Sequence, residues 1–209
     1  RDRATVKLTC DGRQVQLHLD NKMIGEDFEK ITEDLNPDVT ERLSRRWSEL
    51  KTVLEDLDRL DVIAKDVVHH FTEKKKVLKG KAMLAASTKL AAARYADIIS
   101  KIPGAPRCTC IISGMPQGLP DDASEKRKSR EEIVSKHYKS KQEIDDLIKQ
   151  FKDEKNDLEL LIVCDMYLTG FDAPPTHTMY IDKLMRDHNL IQAISRINRV
   201  WKDKPEGMI

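Results

Sequence analysis

The chain has 209 residues, 39% of them hydrophobic and 35% charged, with 37 basic side chains against 36 acidic ones. That length holds one α/β domain with an appendage, or two small domains. The near-zero balance excludes a protein that coats nucleic acid through a general basic excess, while leaving room for a local basic strip.

No apolar run is long enough to cross a bilayer, and no signal-peptide pattern opens the chain. The four cysteines, Cys10, Cys108, Cys110 and Cys164, form no CxxC pair. This disfavours a disulfide framework or a zinc site and suits a reducing compartment. Both ends, Arg-Asp-Arg and Gly-Met-Ile, read as cut from a longer protein.

In chain order, Val15, Leu17 and Leu19 alternate with polar residues after an Asp11-Gly12 turn signal, which predicts a hairpin over residues 4–20. Residues 24–78 are dense in charge, with apolar residues at helical spacing. Asn36-Pro37 starts one helix there. Trp47, Leu50, Val53, Leu54 and Leu57 make an apolar stripe, and Asp61 caps a helix carrying Ile63, Val67 and Phe71. The segment reads as a helical appendage.

Strands are expected at KAMLAA (81–86), RCTCIIS (107–113), LELLIVC (158–164) and 178–181, and helices at about 88–101, 142–152 and 188–200, the last capped by Asp187. Residues 115–141 read as a charged surface loop. The alternation from residue 81 predicts a mostly parallel sheet with helices on both faces. Ligands in such sheets sit at the carboxyl ends of the strands.

Two segments carry candidate chemistry. In the helix HNLIQAISRINRV, Leu190, Ile194 and Ile197 share one face with Ala193 beside it, while Gln192, Arg196 and Arg199 share the other. That pattern fits a solvated basic face. It also fits two permanently charged forks addressing a triphosphate, where an arginine stabilises charge during phosphoryl transfer. Upstream, Thr169-Gly170-Phe171-Asp172 follows a buried strand. Its glycine permits close backbone approach to a ligand, and its aspartate can accept ribose hydroxyls or orient an arginine. A plain strand-to-helix turn fits the same residues.

The spacing Gln-x-x-x-Arg-x-x-Arg resembles motif VI of superfamily 2 helicases, and Thr169–Asp172 resembles motif V. More particularly, the phrases DMYLTGFDAP, HTMYIDK, HNLIQAISRINRV and KDKPEG resemble the motor subunit of type I restriction enzymes. GKAMLAASTKLAAARYADII resembles that subunit's motif IV, with the preceding AKDVVHHF, and the ITEDL segment its linker insertion. The resemblance spans nearly the whole chain, with Leu184 departing from an expected proline.

It implies a RecA-like second motor domain over 79–209, truncated at its C-terminus, preceded by a hairpin and helical linker over 1–78. It further implies an enzyme that hydrolyses ATP with Mg2+ to pull double-stranded DNA and cuts it at a distance, in the prokaryotic cytoplasm. Its partners would be a first RecA-like domain of the same chain, a methyltransferase subunit and a specificity subunit. Arg199 would be the arginine finger and Arg196 a second γ-phosphate contact. Gly170, Asp172 and Gln192 would lie at the nucleotide, and Ser87, Thr88, Lys89 and Thr169 on the DNA backbone. For Ser87 and Thr88, a simple helix cap is an equal and compatible reading. Another superfamily 2 helicase or remodeller, or a non-catalytic RecA-like scaffold, are the rival readings.

No GxxxxGK[ST] loop is present and no apolar strand ends in a DExx box, since Asp153-Glu154 follows a charged helix, so the isolated chain is expected to lack ATPase activity. Pro37-Asp38 with Glu73-Lys74-Lys75 imitates a nuclease motif, but both pieces fall in expected helices. His69, His70, His177 and His188 show no metal-ligand spacing.

Overall fold

The computed structural model describes residues 5–13, 50–113, 124–164, 172–185, 187–202, 204 and 206–209. The strands β1 (Lys7–Thr9), β2 (Lys81–Ala86), β3 (Arg107–Ile111), β4 (Leu158–Val163), β5 (Thr176–Asp182) and β6 (Glu206–Met208) form one sheet in the order β1-β6-β5-β2-β4-β3. Every pairing in it is parallel. Helices α1 (Leu57–Lys75), α2 (Lys89–Ile99), α3 (Glu125–Ser135), α4 (Lys141–Lys152) and α5 (Asp187–Ile197) complete the described elements.

Strand side chains alternate between faces, and β2 shows what that does here. Ala82, Leu84 and Ala86 join a core with Leu60, Val67 and Phe71 of α1, Tyr95 and Ile99 of α2, and Val134 of α3. Met83 and Ala85 join a second core with Ile144 and Phe151 of α4 and Ala193 and Ile197 of α5. Helices therefore cover both faces, and β2 is buried throughout, as its continuous apolar run requires.

Local sequence explains the boundaries. Thr88 caps α2 by accepting from the Ala91 amide, and Ser140 and Glu143 close a reciprocal capping box on α4. Helix α1 starts five residues earlier than expected: Asp56, not Asp61, caps it by accepting from the Arg59 amide at 2.9 Å. Asp61 instead pairs with Lys65 one turn on.

The Trp47–Leu57 stripe is interrupted. Residues 50–54 are helical, Glu55 turns, and Leu57, 53% exposed, opens α1. Trp47 and the Asn36-Pro37 helix start lie outside the described residues. So does the second arm of the expected hairpin; its first arm contributes β1, which pairs in parallel with β6 at the sheet's edge.

The charged 115–141 stretch contains helix α3, held against the core by Val134 and by an Arg130–Glu55 ion pair. The loop expectation fails there because the stabilising contacts are tertiary. Helix α5 begins at Asp187 and ends at Ile197, so Arg199 lies beyond it, in an isolated antiparallel bridge with Thr5.

Candidate functional site

Because all strands run the same way, their ends gather at two edges. At the carboxyl edge a cavity of about 620 Å³ opens between Ser87, Thr88 and Lys89 after β2, Ile112 and Ser113 after β3, Cys164 after β4, and Lys183 and Leu184 after β5. Leu50, Lys51 and Leu54 form its remaining wall. Three lysines and three hydroxyls around one opening make it cationic and rich in hydrogen-bond donors, which suits a phosphate-bearing ligand. Leu184, where a proline was expected, lies on its rim, 58% exposed.

Three of the four predicted backbone-contact residues sit here together, and two of them are already engaged. Thr88 both caps α2 and donates to Glu55 Oε1 at 2.8 Å. Lys89 Nζ donates to the Ser113 carbonyl at 3.0 Å and lies over the Tyr138 ring. Ser87 Oγ is buried with no hydrogen-bond partner in the protein.

Glu55 carries no motif or spacing by which it could be selected in advance. It is 3% exposed and accepts from Thr88 and from both terminal nitrogens of Arg130, while its carbonyl accepts from Arg94. One carboxylate thus joins the 50–54 helical turn, the start of α2, and α3. Asp182, at the end of β5, plays a similar part: it accepts from both terminal nitrogens of Arg59 and from the Tyr95 hydroxyl at 2.6 Å. Burial first, and the Asp182 carboxylate second, push the Tyr95 phenol far above its ordinary range. No local pattern could have revealed either hub, since their partners lie 33 to 123 residues away.

The amino edge holds the second group. Asp172 lies just before β5, and its Oδ2 pairs with Arg199 Nη1 at 2.8 Å, with 44% and 48% of the two side chains exposed. Asp172 Oδ1 is buried and has no protein partner. Thus the structure brings Asp172 and Arg199 together and places Ser87, Thr88 and Lys89 at the opposite edge. Gln192 is half-buried on α5. Thr169 and Gly170 lie outside the described residues, as does the side chain of Arg196, whose backbone belongs to α5.

His70 and His177 are structural in geometry. His70 Nδ1 lies 2.8 Å from the Tyr180 hydroxyl, and His177 stacks on Phe71. Burial, followed by Lys204 and His70, lowers His177 to about 4. Gly80 makes this packing possible. At φ +146° its hypothetical Cβ would sit 2.6 Å from the Pro175 carbonyl and 2.7 Å from the His177 ring. Among the described residues no cluster of ligating side chains could hold a metal ion, and no helix is long and apolar enough to cross a membrane. The cysteines are free thiols, with Cys110 buried and its thiol pushed up to about 12, chiefly by burial.

Comparison with known proteins agrees with this architecture. The fold resembles that of T4 UvsW, with a TM-score of 0.51 over 86% of this chain and 28% of that one, at 13% identity. It is a RecA-like α/β fold. The chain is 36% identical, over its full length, to a putative type I restriction enzyme MjaIXP endonuclease subunit of Methanocaldococcus jannaschii, covering 19% of that protein. It is 34% identical over 97% of its length to the type I restriction enzyme HindI endonuclease subunit of Haemophilus influenzae, covering 18% of it. The chain therefore spans about a fifth of the length of these relatives. Residues 78–209 match the family model described as type I restriction enzyme subunit R domain 3, and the chain belongs to that family.

Proposed function

We propose that this chain is the second motor domain of an ATP-driven DNA translocase within a type I restriction endonuclease subunit. The observation that carries this reading is the Asp172–Arg199 pair at the amino edge, in a chain of this family. In this reading residues 79–209 form the motor domain and residues 1–78 the hairpin and helical linker, of which β1 joins the motor domain's sheet and α1 its core. A first RecA-like domain elsewhere in the subunit supplies the phosphate loop and the residues that hold Mg2+. ATP sits between the two domains, and the complex works in the prokaryotic cytoplasm with methyltransferase and specificity subunits.

The residues present fit a nucleotide. Asp172 Oδ1 is a buried acceptor with nothing to accept from, and a ribose hydroxyl supplies the missing donor. The half-exposed Arg199 pair is worth only ~0–1 kcal/mol. Arg199 therefore leaves Asp172 at little cost to fork onto phosphate oxygens, where it stabilises charge as the γ-phosphoryl group transfers. Arg196 makes a second phosphate contact, and Gln192 and Gly170 line the nucleotide.

At the opposite edge, Ser87, Thr88 and Lys89 hold the DNA backbone. The α2 amino terminus adds its helix dipole to the Lys89 charge. Nucleotide and DNA thus grip opposite edges of one rigid sheet, and β5 runs from one to the other. Motion of Arg199 against the nucleotide can then move the DNA-gripping edge as a body.

The test is ATP hydrolysis by the full-length subunit with and without double-stranded DNA. Hydrolysis that rises strongly on adding DNA is the expected result, with none from the 209-residue chain alone. A full-length subunit indifferent to DNA, or turnover by the isolated chain, contradicts the reading.

A further inference from the structure

Arg199 lies outside helix α5, so something other than the helix must fix its position. Three contacts surround it. On one side, the Val6 amide donates to the Asn198 carbonyl at 2.9 Å, and Thr5 bridges Arg199. On the other, the β6 backbone packs directly on the end of α5. A Cβ at Gly207 would lie 2.5 Å from the Ile197 carbonyl, so only glycine allows this approach.

The third contact is Lys204. Its Nζ donates to the carbonyl of Ile197, the last residue of α5, and to the carbonyl of Thr176, the first residue of β5, at 2.8 Å. The Thr176 amide in turn closes a turn onto the Ala173 carbonyl at 3.0 Å, next to Asp172. One ammonium therefore ties together the two backbone segments from which Asp172 and Arg199 project.

We infer that Lys204 is a positioning residue for Arg199, setting its distance and direction relative to Asp172 and to the nucleotide phosphates. This rests on the reading of Arg199 as the arginine that acts in ATP hydrolysis. A cation at a helix carboxyl terminus is favourable, since it meets carbonyls left without intrahelical donors. Yet Lys204 is half-buried, and burial lowers it to about 8. Partial loss of water around an ammonium has a cost that two carbonyls offset only in part. What that cost secures is geometry: misplacement of a catalytic group by about 1 Å is worth ~100-fold in rate.

The test compares Lys204→Met, Arg199→Ala and the double variant in the full-length subunit, reading DNA-stimulated kcat, nucleotide Kd and the thermal midpoint. Methionine keeps the length of the side chain and removes its donors. Lys204→Met is expected to lower kcat ~10- to 100-fold, with nucleotide Kd changed less than about threefold. Lys204→Met on top of Arg199→Ala is expected to add nothing, because a group that acts only through Arg199 has no effect once Arg199 is gone.

Unchanged kcat in Lys204→Met beside a large loss in Arg199→Ala overturns the positioning role and leaves the motor reading standing. An equal further loss in the double variant also overturns it, because the effect then does not pass through Arg199. No loss in Arg199→Ala itself overturns both. Where Lys204→Met does not fold, Lys204→Gln keeps one amide donor and undergoes the same double-variant test, with the same expected absence of a further loss.

Discussion

Strand β5 carries an arginine–aspartate pair at each end, and the two behave as opposites. At the carboxyl end, Arg59 and Asp182 are 11% and 9% exposed, and Asp182 also accepts from Tyr95. At the amino end, Arg199 and Asp172 are 48% and 44% exposed, and one Asp172 oxygen has no partner. The same two residue types make a fixed joint in one place and a readily broken contact in the other. Burial decides which: breaking a buried pair strands a charge away from water, whereas an exposed pair exchanges one set of solvent contacts for another. An arginine that must reach a ligand belongs to the second kind.

The contrast can be broken by substitution. Asp182→Ala strands the Arg59 charge and is expected to cost ~3–5 kcal/mol of folding stability in chemical denaturation; a loss below about 1 kcal/mol would place the buried pair with the exposed one.

Next in size is a pH effect within the same strand. His177, 1% exposed, is lowered from 6.5 to about 4. The unfolded chain takes up its proton first, so stability is full above about 6.5 and falls as pH drops towards 4. At ~1.4 kcal/mol per unit the loss is roughly 3 kcal/mol. His177→Phe should flatten that part of the stability–pH curve, and an unaltered slope would assign it to other groups.

Arg130→Met comes third. It leaves the buried Glu55 carboxylate without its guanidinium and is expected to cost ~1–3 kcal/mol, with faster amide exchange in α3. Exchange unchanged in Glu125–Ser135 would show that Val134 alone holds that helix. The smallest effect belongs to the exposed pair: Asp172→Asn or Arg199→Ala should shift stability by less than ~1 kcal/mol, and a larger shift would mean that the pair is a structural joint after all.

Much of this fold is written in short-range pattern. Strands β2 and β4 are continuous apolar runs, helix α4 announces itself through Ser140 and Glu143, and the order of elements predicts the parallel sheet. Helix α3 was not legible, because EKRKSREEIVS offers no apolar stripe and its anchor, Glu55, lies 75 residues away. The place of β1 was hidden for the same reason, since its partner β6 stands at the other end of the chain.

The candidate site divides likewise. Asp172 and Arg199 could be selected from residue type and spacing, but not their contact, nor the fact that Arg199 stands beyond its helix. Lys204 left no signal at all, because a lysine donating to two carbonyls looks, in sequence, like any surface lysine.

The most direct test of the distinction between the two pairs is Arg199→Ala in the full-length subunit, with DNA-stimulated ATP turnover and thermal midpoint read from the same preparation. A fall in turnover on the order of a thousandfold with an unmoved midpoint is the predicted result. Turnover at the unmodified level would contradict it and make the amino-edge pair a surface contact without a part in the motor.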